Sequence, residues 1–167
     1  KFLQYHRMLF FVKQKDIDIL EASKGIYILG PDTVGGKELE AVILNPPPFE
    51  QRPRGKYVAE ANSVVIRLQY GDVSFLFPGV LNGEGAETIW ELKGGIESTI
   101  HLVANFGKGP RFGSKERMLT EVNPEVVIFQ YVVPYYGPGK RNYLPYVQLC
   151  EEMGIPHYTT DEVGAVM

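Results

Sequence analysis

Hydrophobic residues recur along the chain in two periods, one typical of strands and one typical of helices. Segments that alternate, or that are apolar throughout, predict strands over Leu39–Leu44, Ser63–Tyr70, Val73–Phe77, Ile100–Val103, Val126–Gln130, His157–Thr160 and Ala165–Val166. Helical spacing predicts helices over Phe2–Gln14, Glu84–Leu92, Lys115–Glu121 and Tyr143–Met153. Strands come first and then alternate with helices. This order predicts an α/β or α+β fold, with a mixed β-sheet and helices packed on one face.

Glycine and proline mark the segments between these elements. Gly71-Asp72 predicts the turn of a hairpin between two strands. Gly30-Pro31-Asp32 predicts another turn, and a run of three prolines ends the strand Leu39–Leu44. We expect Phe49–Ala61 to be a surface loop and Gly107–Ser114 to be a glycine-rich loop.

Composition limits the class of protein. A chain of 167 residues with 44% hydrophobic and 22% charged residues predicts one globular domain, residues 1–167. The net charge of −3 argues against binding nucleic acid over the whole surface. Cys150 is the only cysteine, so no intrachain disulfide can form. No apolar run approaches the roughly 18 residues that a membrane helix needs.

Several segments together resemble the metallo-β-lactamase-fold domain of the ComEC DNA-uptake (competence) proteins and their relatives. They are, in chain order, ILEASKGIYILG, LEAVILNPP, NSVVIRLQYGDVSFLFPG, IHLVANFGKG, PEVVIF and LCEEMGIPHYTTDEVGAV. Order and spacing are kept over nearly the whole chain. The resemblance implies an αββα sandwich of which this chain is mainly the second half, incomplete at its N-terminus. Such a half would leave one face of its sheet uncovered, so a partner or a missing segment is expected to cover it.

The resemblance also locates the family's metal ligands, and this chain lacks them. The family's bridging acid falls at Val80, and its paired histidines fall at Asn105 and Phe106. The loop that carries the last family histidine, residues 131–145, contains no histidine, and the His-x-His-x-Asp-His loop of the first half is absent from the sequence. Divalent metals need carboxylate, imidazole or thiolate ligands. We therefore expect no cofactor, with Val80, Asn105 and Phe106 as vestigial active-site positions.

One alternative concerns the alignment near Gly79. If the register there is shifted by a residue or two, Glu84 serves as a displaced ligand and zinc or manganese would be the cofactor. The chain would then be a metal-dependent hydrolase, a phosphodiesterase or nuclease acting on DNA, whose remaining ligands lie in a missing N-terminal half.

A basic segment predicts a second kind of site. Lys108, Arg111 and Lys115, together with Arg117, surround Phe112 in and after the glycine-rich loop. Basic side chains with an aromatic ring suit the phosphates and bases of single-stranded DNA. The preferred interpretation is an ordinary solvated loop.

The remaining candidate residues have structural explanations. His6 is expected at the surface, and His101 and His157 are expected to be strand residues rather than metal ligands. Cys150 is expected to be a buried thiol. Five tyrosines that are close together in sequence predict either an interaction surface or the cap of a core; they are Tyr131, Tyr135, Tyr136, Tyr143 and Tyr146.

The sequence therefore favours a degenerate, non-catalytic domain that acts as a structural or binding module. Single-stranded DNA, a second copy of the chain and the missing half are the candidate partners. The resemblance alone suggests a location outside the cytoplasm, because uptake proteins meet DNA there.

Overall fold

The sheet follows the alternating segments of the sequence. The computed structural model describes residues 10, 12–15, 21–92, 95–105, 115–130, 143–160 and 164. In these residues seven strands form one mixed sheet in the order β1-β2-β3-β4-β5-β6-β7. They are β1 (Tyr27–Val34), β2 (Lys37–Asn45), β3 (Val65–Tyr70), β4 (Val73–Phe77), β5 (Ile100–Leu102), β6 (Val126–Phe129) and β7 (His157–Thr159). Strands β1 to β4 are antiparallel and β4 to β7 are parallel. The predicted α+β class with a mixed sheet is confirmed.

Helices connect the parallel strands, as parallel neighbours require a crossover. The helices are α1 (Val58–Ala61), α2 (Gly83–Trp90), α3 (Lys115–Val122) and α4 (Leu144–Glu152), with a 3-10 helix at Phe49–Gln51. Helix α2 lies between β4 and β5 in the chain, α3 between β5 and β6, and α4 between β6 and β7. The alternation of strands and helices in the second half of the sequence is therefore an alternation of parallel strands and their crossovers.

The hairpin of β3 and β4 is the best-defined local prediction. Both strands alternate in sequence, and Gly71 between them has φ +57°, which glycine adopts without steric cost. Leu68 pairs with Phe75, and Tyr70 pairs with Val73. Because this register is fixed by the turn, it decides which side chains face the helices.

The core lies between the helices and one face of the sheet. Val65 and Leu76 of the sheet pack with Ile89 of α2 and Met118 of α3 in one buried cluster. A second cluster joins strand β6 to α4; its buried members are Val103, Leu119, Val127, Phe129, Tyr143, Tyr146 and Cys150. The prediction that helices pack on one face therefore agrees with the two clusters of the described residues.

Two predictions for the first half of the chain were wrong. Gly30-Pro31-Asp32 was expected to be a turn, but it lies inside β1, where the register with β2 shifts. An edge strand tolerates proline because its outer N–H groups need no ladder partner. The expected surface loop Phe49–Ala61 contains the 3-10 helix and α1, and Ala61 is fully buried.

Some predicted elements fall outside the described residues. Of the predicted helix Phe2–Gln14, Phe10 and residues 12–14 are described and are helical. The predicted loop Gly107–Ser114 lies outside the described residues, as does the predicted strand Ala165–Val166. None of the described helices is long and apolar enough to cross a lipid bilayer.

Candidate functional site

The carboxyl ends of β4, β5 and β6 form the edge of the sheet where open α/β folds place their ligands. Val80 follows β4 by three residues and Asn105 follows β5 by three residues. The backbone N–H of Asn105 donates a hydrogen bond of 2.8 Å to the carbonyl oxygen of Gly79. Two of the positions at which the resemblance places metal ligands, distant in sequence, are therefore adjacent in space.

A tight turn after β4 fixes the position of Val80. Gly79 has φ +58°, and a Cβ added there would lie 2.6 Å from the hydroxyl oxygen of Ser63. That hydroxyl accepts a hydrogen bond of 3.0 Å from the backbone N–H of Val80. The Ser63 side chain is thus a structural part of the turn, which the sequence alone did not identify. Its only sequence signal is its place just before β3, the strand that pairs with β4.

Asn105 is held in an unusual backbone conformation. Its φ of 55° lies in the left-handed region, which asparagine adopts more readily than other residues with a side chain. The residue is half-buried. Its backbone bond to Gly79 explains why the chain turns at this point.

The helix that follows the turn is capped by Asn82. Its side-chain oxygen accepts a hydrogen bond of 2.9 Å from the backbone N–H of Gly85, which satisfies a donor in the first turn of α2. Asn82 is 2% exposed. Glu84, the alternative ligand, is exposed on the same turn. Asn82 therefore has a structural role at the start of α2.

A cavity of about 240 Å³ opens at this edge of the sheet. Its lining among the described residues consists of Phe77, Pro78, Gly79, Val80, Leu102, Val103 and Gln130. These residues offer backbone groups and one side-chain amide, but no carboxylate, imidazole or thiol. The described part of the chain also holds no cluster of three or more histidine, cysteine, aspartate or glutamate residues that could bind a metal ion. The cavity is suited to an apolar group rather than to a cation.

Of the three residues expected to contact DNA, only Lys115 is described. This residue begins α3, and its side chain is partly exposed. Phe106, Lys108 and Arg111 lie outside the described residues. Contact of Lys108, Arg111 and Lys115 with single-stranded DNA therefore stays a prediction.

Arg117, in the same basic segment, packs within the protein. Its guanidinium lies 4.0 Å from the centroid of the Trp90 ring. It also forms ion pairs with Glu87 at 3.7 Å and with Glu121 at 3.6 Å. The contacts with Trp90 and Glu87 join α3 to α2, and the pair with Glu121 lies within α3, so the position of Arg117 is explained by helix packing.

His101 is a core residue, as the sequence indicated. It is 1% exposed in β5, with its Nε2 atom 3.5 Å from the hydroxyl oxygen of Tyr146. Its Nδ1 atom has no hydrogen-bond partner among the described residues. Burial lowers the pKa of His101 from 6.5 to about 4, so the imidazole is neutral at physiological pH.

The other candidate side chains are also structural where they are described. His157 in β7 is half-buried, with its ring edge-on to Phe129. Tyr143 and Tyr146 are almost fully buried, so these two tyrosines belong to the core. The other three members of the predicted cluster, Tyr131, Tyr135 and Tyr136, lie outside the described residues. Cys150 is buried, and burial raises the pKa of its thiol to about 11. His6 lies outside the described residues.

Comparison with known proteins does not assign the chain to a family. No family model matches the sequence, and no curated protein matches it. The class that the fold defines is an α+β protein with a mixed sheet, in which the described helices pack on one face.

Proposed function

We propose that this chain is the second half of a metallo-β-lactamase-like sandwich related to the ComEC family, and that it has no hydrolytic activity. In this proposal it acts as a structural or binding module. The proposal joins the sequence resemblance to one observation. The backbone N–H of Asn105 donates a hydrogen bond to the carbonyl oxygen of Gly79, the residue before Val80, at the edge where the parallel strands end.

The side chains at Val80 and Asn105 support the proposal of an active site that has lost its metal ligands. A hydrolase of this kind needs metal ions to polarise a phosphoryl oxygen and to generate hydroxide near neutral pH. Valine has no lone pair, and an amide is a poor ligand for zinc or manganese. The cavity beside these positions is lined mainly by apolar side chains. A divalent cation there would lose its hydration shell without gaining adequate ligands.

Metal content is the decisive measurement. The purified chain is dialysed against zinc and manganese, and its bound metal is measured by elemental analysis. We expect far less than one metal ion per chain. Stoichiometric metal would contradict the proposal and would favour the metal-dependent hydrolase.

A matched pair of variants then identifies the ligand if metal is found. Glu84→Gln removes the alternative ligand, and Glu87→Gln is the control because both residues are exposed on α2. Metal lost only in Glu84→Gln would show that the alignment near Gly79 is shifted. Absence of metal from the unaltered chain and from both variants is the result that the proposal predicts.

A further inference from the structure

From β3 to β7, one face of the sheet is buried and the opposite, apolar face is partly exposed. In β4, Ser74 and Leu76 are buried, whereas Phe75 and Phe77 are partly exposed. Strand β6 repeats this alternation, with Val127 buried and its neighbours partly exposed. Side chains alternate between the two faces of a strand. The partly exposed side chains therefore share one face.

Strand pairing makes these side chains one continuous patch. Residues paired across neighbouring strands lie on the same face, and Leu68 pairs with Phe75, which in turn pairs with Ile100. We call this patch the open face. It consists of Ile66, Leu68, Tyr70, Val73, Phe75, Phe77, Ile100, Leu102, Val126, Ile128 and Tyr158.

The described helices pack on the other face. The buried clusters join α2, α3 and α4 to Leu76, Val127 and Phe129, all of which point away from the open face. On the open face Tyr70 and Val73 are each 39% exposed, and Tyr158 is 45% exposed. These three side chains are therefore exposed, and the other eight members of the open face are partly exposed. Ala41 and Ile43 of β2 share this face but are 5% and 3% exposed, so the accessible part begins at β3.

The composition of the open face indicates a dry contact. None of its eleven side chains is charged, and their only polar atoms are the two tyrosine hydroxyls. The nearest charge on the same face is at its margin, where the Lys37 ammonium of β2 lies 5.5 Å from the centroid of the Tyr70 ring. Parallel sheets occur almost only with both faces covered, and large exposed apolar patches mark sites of association. A partner with charged groups would have to bury them unpaired. The partner must therefore present a flat apolar surface.

The size of the open face fits a weak dimer. Since strands are about 4.8 Å apart and residues advance about 3.3 Å along a strand, the open face is roughly 25 Å wide, about 20 Å long at β3 and about 10 Å long at β5 and β7. Two such faces in contact would bury roughly 750 Å² in total, the size of a weak or transient interface. The open face of a second copy has the required shape and apolar composition.

We propose that two copies of this chain associate through their open faces, with the sheets packed face to face and the helices outside. Twofold pairing of identical patches is the commonest closed symmetry among oligomers. Sheets in such contacts lie about 10 Å apart with their side chains interdigitated. The inference goes beyond the proposed function, because this dimer does not depend on whether the site at Val80 binds metal.

Sedimentation velocity on the full chain tests the dimer. Over a series from about 1 µM to about 200 µM we expect a concentration-dependent rise in mass toward twice the 18.8 kDa of the chain. Leu68→Glu places a charge in the middle of the open face and should raise the dissociation constant at least about tenfold. Leu144→Glu is the control, because Leu144 is 49% exposed on α4, outside the open face.

A second variant covers the case in which Leu68→Glu does not fold. Val126→Thr keeps the shape of the side chain and adds one hydroxyl to the open face, so it should fold and weaken the dimer several-fold. A chain that stays monomeric over the whole series would overturn the proposal and would mean that a different partner covers the face. A dimer that Val126→Thr and Leu144→Glu leave equally strong would also overturn it.

Discussion

Burial of His101 should make the protein sensitive to acid. The imidazole is fully enclosed between the sheet and α4, and burial lowers its pKa to about 4, whereas an unfolded chain would give about 6.5. Between these two pH values the unfolded state binds a proton that the native state does not bind. The free energy of unfolding therefore decreases as the pH falls through this interval. Above about pH 6.5 the imidazole is neutral in both states, and His101 causes no loss of stability.

The pKa difference sets the magnitude. Each pKa unit corresponds to about 1.4 kcal/mol, so the loss between pH 6.5 and pH 4 is about 3 kcal/mol. Tyr146 and Cys150, the titratable groups packed near His101 among the described residues, do not offset this loss of stability. Burial raises the pKa of Tyr146 well above its ordinary value and that of the Cys150 thiol to about 11, so neither group is charged in this interval. A domain with a stability of about 5–15 kcal/mol would lose a large share of it.

The assay is urea unfolding from pH 7 to pH 4 on the unaltered chain and on His101→Leu. Carboxylates that titrate near pH 4 affect both proteins, so the difference between their free energies of unfolding isolates the imidazole. We expect that difference to shift by about 3 kcal/mol in favour of the variant on acidification.

Tyr146→Phe is the matched control. It removes the hydroxyl that lies 3.5 Å from the ring but leaves the imidazole buried, so it should keep the full acid sensitivity. Parallel loss of stability in the unaltered chain and in His101→Leu would refute the reasoning.

Two pairs of substitutions test how α1 and α2 are held in place. A Cβ at Gly85 would lie 2.3 Å from the carbonyl oxygen of Ala61, so Gly85→Ala should cost about 2 kcal/mol in thermal unfolding, whereas exposed Glu84→Ala should change stability by less than about 0.5 kcal/mol. The buried Asn45 amide donates to Ala61 at 3.0 Å and accepts from the Thr88 hydroxyl at 2.6 Å. Asn45→Leu should therefore cost about 3 kcal/mol and Thr88→Val about 1 kcal/mol, and equal losses would contradict this account.

Local sequence signals predicted the central elements well. The strand Val73–Phe77 was predicted with its observed bounds, and Ser63–Tyr70 differs from β3 only at its start. Alternation and a glycine turn suffice for such a hairpin, because both act within a few residues. The predicted helix Glu84–Leu92 also overlaps α2 over most of its length.

Elements held by distant contacts were missed. Helix α1 has only four residues, about one turn, so its sequence cannot show a repeating helical pattern. A distant residue stabilises it, because the Asn45 side chain of β2 donates a hydrogen bond to the carbonyl oxygen of Ala61. In β1, Gly30 and Pro31 are typical turn residues, and only the pairing with β2 makes them part of a strand. Such elements depend on the assembled sheet, so a local pattern cannot reveal them.

The candidate site was predictable in position but not in detail. Val80 and Asn105 each follow a predicted strand, and parallel neighbours end at the same edge of a sheet, so their proximity follows from topology. The contact of Ser63 with the Gly79 turn depends on how β3 and β4 pair. The apolar lining of the cavity depends on which side chains converge there.

The polarity of the two sheet faces is the strongest argument for a partner. A strand that is apolar throughout, such as β6, is typical of a sheet covered on both faces. Its sequence does not indicate which face is covered by the helices of the same chain. The structure shows that the helix-covered face buries polar side chains, including Ser74, His101 and Thr159. The eleven side chains of the open face carry no charge and only two hydroxyls, and the nearest charge on this face is Lys37 at its margin. A face that functions in contact with water should be the more polar one. Here the less polar face is the one that the described helices leave partly exposed, as expected if a second sheet packs against it.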